Sequence, residues 1–216
     1  MKADWLIFDF ETLNDTPWEA TVLSLAYIAG TWDSLDIDTD MGKLLASGEE
    51  LFFKIKNQAD YGRTTSKETI EWWRNQSQEA QDRVFKPEVK IDITELFTRF
   101  NAYCKRMGVD KDTKVMLRGP YFDHAIMASL SKRLYAELPY NHWNIRDIRT
   151  VLDTIVGYPS IFKISEYFEK KHQLVKHSAL HDCAKDIMQT AFALKVGSEA
   201  LKKDYAQYGF TLYGKW

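Results

Sequence analysis

The run Trp5-Leu6-Ile7-Phe8-Asp9-Phe10-Glu11 constrains this chain more than any other segment. A short apolar and aromatic run of this kind reads as a β-strand, expected here over Asp4 to Phe10. Residues two apart on a strand share a face, so Asp9 and Glu11 present their carboxylates side by side at its end. Adjacent carboxylates repel, and burying them is costly unless a cation neutralises them. Hard divalent cations such as Mg²⁺ accept such oxygen ligands. An Asp-x-Glu triplet taken alone also fits a solvated strand end, so the rest of the chain must decide.

Further strands are expected at Thr21 to Ile28, Leu51 to Ile55 and Thr113 to Leu117, with a short fifth at Trp143 to Ile145. The acidic stretch Thr31 to Glu50 reads as a connection between strands. Helical patterns cover Ser66 to Gln76, Phe122 to Glu137 and Asp182 to Val196. Another begins at Asp92, where Glu95 three residues on makes a capping box, and ends at Gly108. Three early strands followed by alternating helices and strands indicate an α/β domain with a mixed sheet. Pro and Gly are sparse, at 5 and 10, and no linker divides the chain. A single domain over residues 1–216 is expected.

Two more segments carry chemistry. Arg118-Gly119-Pro120-Tyr121-Phe122-Asp123 follows the fourth strand, and Gly-Pro forces a turn into a helix. Asp123 there is either a helix cap or a functional acid at a strand-turn-helix junction. The second is His177-Ser178-Ala179-Leu180-His181-Asp182-Cys183-Ala184-Lys185-Asp186. His181 stands five residues before Asp186, while Asp182 reads as a helix cap. Cys183 is no nucleophile for His181, because residues two apart on a helix diverge by about 200° and cannot pair.

In this order the segments resemble the DEDDh 3′→5′ exonucleases of the DnaQ-like superfamily, with Asp9, Glu11, Asp123 and Asp186 as the four acids and His181 as the histidine. The stretches Ile70 to Ser77, Asn144 to Thr150 and His181 to Ile187 are similar to the phage exonuclease A (DexA) group. The resemblance implies a ribonuclease-H-like fold, a five-stranded mixed sheet flanked by helices. It implies hydrolysis of phosphodiester bonds at the 3′ end of single-stranded nucleic acid, with DNA slightly favoured over RNA. Two Mg²⁺ or Mn²⁺ ions on Asp9, Glu11, Asp123 and Asp186 would stabilise the attacking and leaving oxygens. His181 would be the general base. Thr12 and Leu13 hold the family position that contacts the terminal nucleotide. Homodimers occur in the family. The competing readings are an exoribonuclease and a non-catalytic nucleic-acid-binding module with the same fold.

Charge supports local rather than bulk capture of a polyanion, since 29 basic residues face 31 acidic ones for a net of −2. A cation-filled acidic pocket meets that requirement. Lys176 belongs to a basic stretch just before the third segment and is a candidate phosphate contact. Of Trp72 and Trp73, adjacent on a helix, at most one faces the core. Trp73 is a candidate for stacking on a base, although packing is its commoner use. Two cysteines exclude a disulfide framework, and no apolar run is long enough for a membrane span. A soluble, intracellular, cytoplasmic protein is expected.

Overall fold

The computed structural model describes residues 2–35, 39–157 and 160–207. One five-stranded sheet forms, from β1 (Trp5–Thr12), β2 (Val22–Gly30), β3 (Glu49–Phe52), β4 (Lys114–Leu117) and β5 (Ile145–Asp147), in the order β3-β2-β1-β4-β5. β1 pairs antiparallel with β2 and parallel with β4, so the sheet is mixed. Its flanking helices are α1 (Met41–Ser47), α2 (Lys67–Arg74), α3 (Gln78–Phe85), α4 (Leu96–Met107), α5 (Pro120–Arg133), α6 (Ile148–Val156), α7 (Ser160–His172) and α8 (Ala179–Gln207). This is the expected ribonuclease-H-like α/β architecture.

The alternation of β1 divides the core. Leu6, Phe8 and Phe10 point to one face, against Phe100 and Tyr103 of α4 and Ile126 and Leu130 of α5. Trp5 and Ile7 point to the other, against Ile148 and Leu152 of α6 and Cys183 and Ile187 of α8. By the same two-residue period Asp9 and Glu11 belong to the α8 side. Cys183 is buried beneath them, and burial pushes its thiol well above the usual range, which leaves it inert.

Several boundaries differ from the sequence reading. β1 runs on through Glu11 and Thr12 because β2 continues to pair with it. β5 begins at Ile145, after a 3₁₀ turn at His142–Asn144 that leaves Trp143 exposed. The segment Thr31 to Glu50 holds a helix, α1, because Asp40 caps the amides of Gly42 and Lys43 while Met41 and Leu44 are buried. The expected helix over 66–76 stops at Arg74, and α3 starts afresh from the Ser77 cap. α8 begins at Ala179 rather than Asp182, so Asp182 lies in the first turn and does not cap it. No helix among the described residues is long and apolar enough to cross a membrane.

Candidate active site

Three junctions meet at the carboxyl end of β1. β1 itself supplies Asp9 and Glu11. The β4–α5 turn supplies Asp123: Gly119 takes φ +82 at the cap and Pro120 opens the helix. The Asp123 side chain does not cap its helix. Its Oδ1 accepts from the Phe10 amide at 3.1 Å, which ties the first turn of α5 to the end of β1. The third junction is the entry to α8. His177 sits there in the left-handed region at φ +58, a conformation rare for a residue with a side chain. The His177 amide donates to Asp182 Oδ2 at 3.1 Å, which holds that conformation.

Together these residues line a cleft of about 370 Å³. Asp9, Glu11, Asp123, Asp182 and Asp186 contribute acids, and His177 contributes an imidazole. One ligand-type atom each from Glu11, His177 and Asp182 lies within 4.8 Å of the others. Burial, then the charges of Asp123 and Glu11, push the Asp9 carboxyl well above the usual range. Burial, then Asp182 and Asp123, do the same to Glu11. Burial likewise raises Asp123, although its bond from the Phe10 amide opposes this. Such a set is unfavourable alone and becomes favourable around cations. Its hard oxygen donors, with one imidazole at hand, fit Mg²⁺ or Mn²⁺.

Asp186, one turn beyond Asp182 on α8, has a different partner. Arg118 donates through Nε to Asp186 Oδ2 at 2.7 Å and through Nη2 to Gln189 Oε1 at 2.7 Å. Asp186 Oδ1 is buried without a hydrogen-bond partner among the described residues. Lys185 bridges Asp182 Oδ1 at 2.6 Å and Glu169 Oε1 at 3.1 Å.

His181 is not among the cleft residues. Its Nδ1 accepts from the Val175 amide at 2.9 Å, so that nitrogen carries no proton. Burial and the neighbouring Arg83 charge pull its pKa down to about 4. The residue at the cleft is His177, whose pKa is lowered by burial against the opposing pull of Asp182. The sequence carried a signal for it: His177 stands five residues before Asp182, the same spacing that joins His181 to Asp186.

The expected substrate contacts are distributed as follows. Thr12 and Leu13 are buried directly beside the cleft acids, and the Thr12 carbonyl accepts from Trp73 Nε1 at 2.8 Å. Trp73 is 2% exposed and packs with Leu13, Leu23 and Val84, which uses its ring faces in the core. Trp72 is the exposed member of the pair at 42%, and its ring meets His177 edge-on at 4.7 Å. Lys176 is exposed and forms an ion pair with Glu169 at 3.3 Å. Arg149 also lines the cleft, and its side chain has no hydrogen bond or ion pair among the described residues.

Solved structures share this fold. Zinc-bound exonuclease I of E. coli in complex with single-stranded DNA aligns with 96% of this chain at TM-score 0.54 and 13% identity. Exonuclease I of Methylocaldum szegediense aligns with 95% at TM-score 0.59 and 14% identity. In both cases this chain spans 43% of the longer protein. S. pombe Pop2p in its Mg²⁺- and Mn²⁺-bound form aligns with 89% of this chain and 81% of its own length, at TM-score 0.51 and 12% identity. At the level of sequence, the exodeoxyribonuclease of Enterobacteria phage T4 is 30% identical over 203 residues, 88% of each chain. The sequence model of the Rv2179c-like 3′–5′ exoribonuclease domain matches residues 4–194. That match takes in β1, the β4–α5 turn and the start of α8, and it makes this chain a member of the Rv2179c-like 3′–5′ exoribonuclease domain family, a 3′→5′ exonuclease.

Proposed function

We propose that this exonuclease removes nucleotides from the 3′ end of single-stranded DNA, with divalent cations on Asp9, Glu11, Asp123 and Asp182 and with His177 as the general base. The observation that carries this reading is the convergence of Glu11, His177 and Asp182 within 4.8 Å at the end of β1. Two Mg²⁺ or Mn²⁺ ions in such a site supply positive charge to the scissile phosphate and to the attacking and leaving oxygens.

The chain's own residues do the rest. Asp182 fixes the backbone of His177, so the imidazole is positioned before substrate arrives. Burial favours its neutral form, which takes a proton from the attacking water. Arg149 offers an exposed guanidinium to a phosphate oxygen beside Gly119. Thr12 and Leu13 border the acids on the β1 side and close that wall of the cleft against the terminal nucleotide. Asp182 is chosen over Asp186 because its ligand atom converges with those of Glu11 and His177, while Asp186 lines the same cleft with Oδ2 paired to Arg118 and Oδ1 unpaired among the described residues.

DNA is favoured because the phage T4 relative, matched along most of both chains, is an exodeoxyribonuclease. An exoribonuclease is the second reading, supported by the name of the matched family. The test is to digest 5′-labelled single-stranded DNA and RNA of one sequence side by side with Mg²⁺. Faster shortening of DNA from its 3′ end is expected. Faster digestion of RNA would replace the substrate assignment. Full activity in excess EDTA would overturn the cation-dependent mechanism.

A further inference from the structure

A second surface lies beside α5, apart from the catalytic cleft. Trp18, Asp60, Lys132, Arg133 and Tyr135 border a cavity of about 790 Å³. Two of its three aromatic residues are strongly exposed, Trp18 at 52% and Tyr135 at 97%, while Tyr61 packs against the core. Neither exposure is a by-product of slack. Trp18 is pinned through its carbonyl, which accepts from Ser129 Oγ at 2.8 Å and from Arg63 Nη1 at 3.2 Å. Tyr135 is held at φ +52 just past the end of α5. Around it Ser131 and Ala136 exchange two hydrogen bonds, at 2.6 and 2.9 Å.

The charge of this surface is unbalanced. Lys132 and Arg133 form no ion pair among the described residues, and Asp60, the acid of the lining, pairs with neither. Arg63 lies behind them at 3% exposure, and its guanidinium meets carbonyls and a hydroxyl but no carboxylate. A contrast is the cavity along β3 lined by Arg83, Lys86 and Arg99. There each cation has an acid, Glu50, Asp82 and Glu95 in turn. The α5 surface is thus left with free cations beside exposed rings, the combination that tracks a single strand by stacking and phosphate contacts.

Its position fits the same substrate. α5 carries Asp123 in its first turn and Lys132 nine residues on, about 14 Å along the axis. At about 3.4 Å for each stacked nucleotide that is a span of about four nucleotides. The Trp18 loop continues directly from β1, whose end bears Glu11. Resting on the function proposed above, we propose that Trp18, Lys132, Arg133 and Tyr135 form an upstream site that grips the 5′-ward part of the single strand whose 3′ end is being cut. The rings stack on bases and the two cations contact phosphates, without sequence preference.

The test compares a trinucleotide, too short to reach this surface, with a strand of about 25 nucleotides, longer than the usual site size of about 4–16. In the wild type KM for the long strand is expected to be lower by about tenfold, the worth of one good stacking contact. Lys132→Glu/Arg133→Glu and, separately, Trp18→Ala/Tyr135→Asn should each shrink that ratio toward one. The charge variant should also flatten the dependence of log affinity on log salt by about 1.4, for two lost phosphate contacts. An unaltered length ratio in both variants, with wild-type enzyme active, would overturn the upstream site and leave the catalytic reading intact. Absence of nuclease activity from the wild type on either strand would instead overturn the function on which it rests.

Discussion

The backbone amide of His177 donates to Oδ2 of Asp182 at 3.1 Å, so the residue that leads into α8 is fastened to the first turn of that helix. The link orients both groups toward Glu11, and it explains how a histidine tolerates φ +58.

His177→Ala is accordingly expected to lower turnover by about 10²–10⁴-fold, the contribution of a positioned general base. His181→Ala should keep turnover near the wild type, because its ring faces Val175 and Arg83 rather than the cleft. Its effect belongs to stability. The folded pKa of about 4 lies below the ordinary value of about 6.5, so the fold resists a proton that the unfolded chain takes up. That stability is present above about pH 6.5 and is lost as pH falls toward about 4. Wild-type melting temperature should therefore drop across this window more than that of His181→Ala. A dead His181→Ala beside an active His177→Ala would reverse the assignment.

Sequence spacing could not separate these histidines, because the five-residue interval occurs twice, from His177 to Asp182 and from His181 to Asp186. The choice is made by where α8 starts. With Ala179 as its first residue, His177 lies before the helix and reaches the cleft, while His181 lies inside the first turn and diverges from Asp182 by about 100°. Asp9, Glu11 and Asp123 were legible because they rest on strand alternation and on a Gly-Pro turn, both local signals. The mixed α/β sheet likewise followed from three early strands and then alternating elements, whereas the strand order β3-β2-β1-β4-β5 was not read from the sequence. Helices α1 and α3 were hidden because they are short and owe their existence to Asp40 and Ser77 caps and to tertiary burial.

Removal of metal should expose the strain of the acid cluster. Asp9 and Glu11 hold protons in the fold well above the usual carboxylate range of about 4. Between that range and their raised values the folded state binds more protons than the unfolded one, so stability falls as pH rises. In EDTA the melting temperature should decline as pH rises above the usual carboxylate range, and Mn²⁺ should restore it where the decline is complete. Asp9→Asn should melt higher than the wild type in EDTA at that pH while losing nearly all turnover. A melting temperature in EDTA that is independent of both pH and this substitution would refute the repulsive cluster.

Asp182 and Asp186 are separated by one helical turn and should respond differently. Asp182→Asn removes a group beside Glu11 and His177 and is expected to abolish turnover, and because it also breaks the ion pair with the largely buried Lys185 it should lower the melting temperature as well. Asp186→Asn breaks the ion pair with Arg118, whose side chain is 26% exposed. A cost of about 2 kcal/mol, or about 4–8 °C in melting temperature, follows from leaving that guanidinium poorly matched. Its turnover should fall by less than that of Asp182→Asn. Calorimetry and a single-turnover assay on the two variants separate these outcomes, and equal loss of turnover with unchanged melting would place Asp186 among the ligands.

The two adjacent tryptophans divide fold from surface. Trp73 is buried, donates from Nε1 to the Thr12 carbonyl, and packs against Leu13 and Phe85. Trp73→Ala should cost about 3–5 kcal/mol, through a cavity and an unsatisfied carbonyl next to the cleft. Trp72 instead rests its exposed ring against His177. Trp72→Ala should lower the melting temperature less than Trp73→Ala does, since Trp72 is 42% exposed and Trp73 2%. It should raise KM several-fold, because the ring borders the mouth of the cleft and stacking on a base is worth about 1–3 kcal/mol. Trp72→Phe keeps a flat ring at the same place and should recover most of that loss. Failure of Trp72→Phe to recover KM, with Trp72→Ala still folded, would show that the indole serves His177 alone and touches no base.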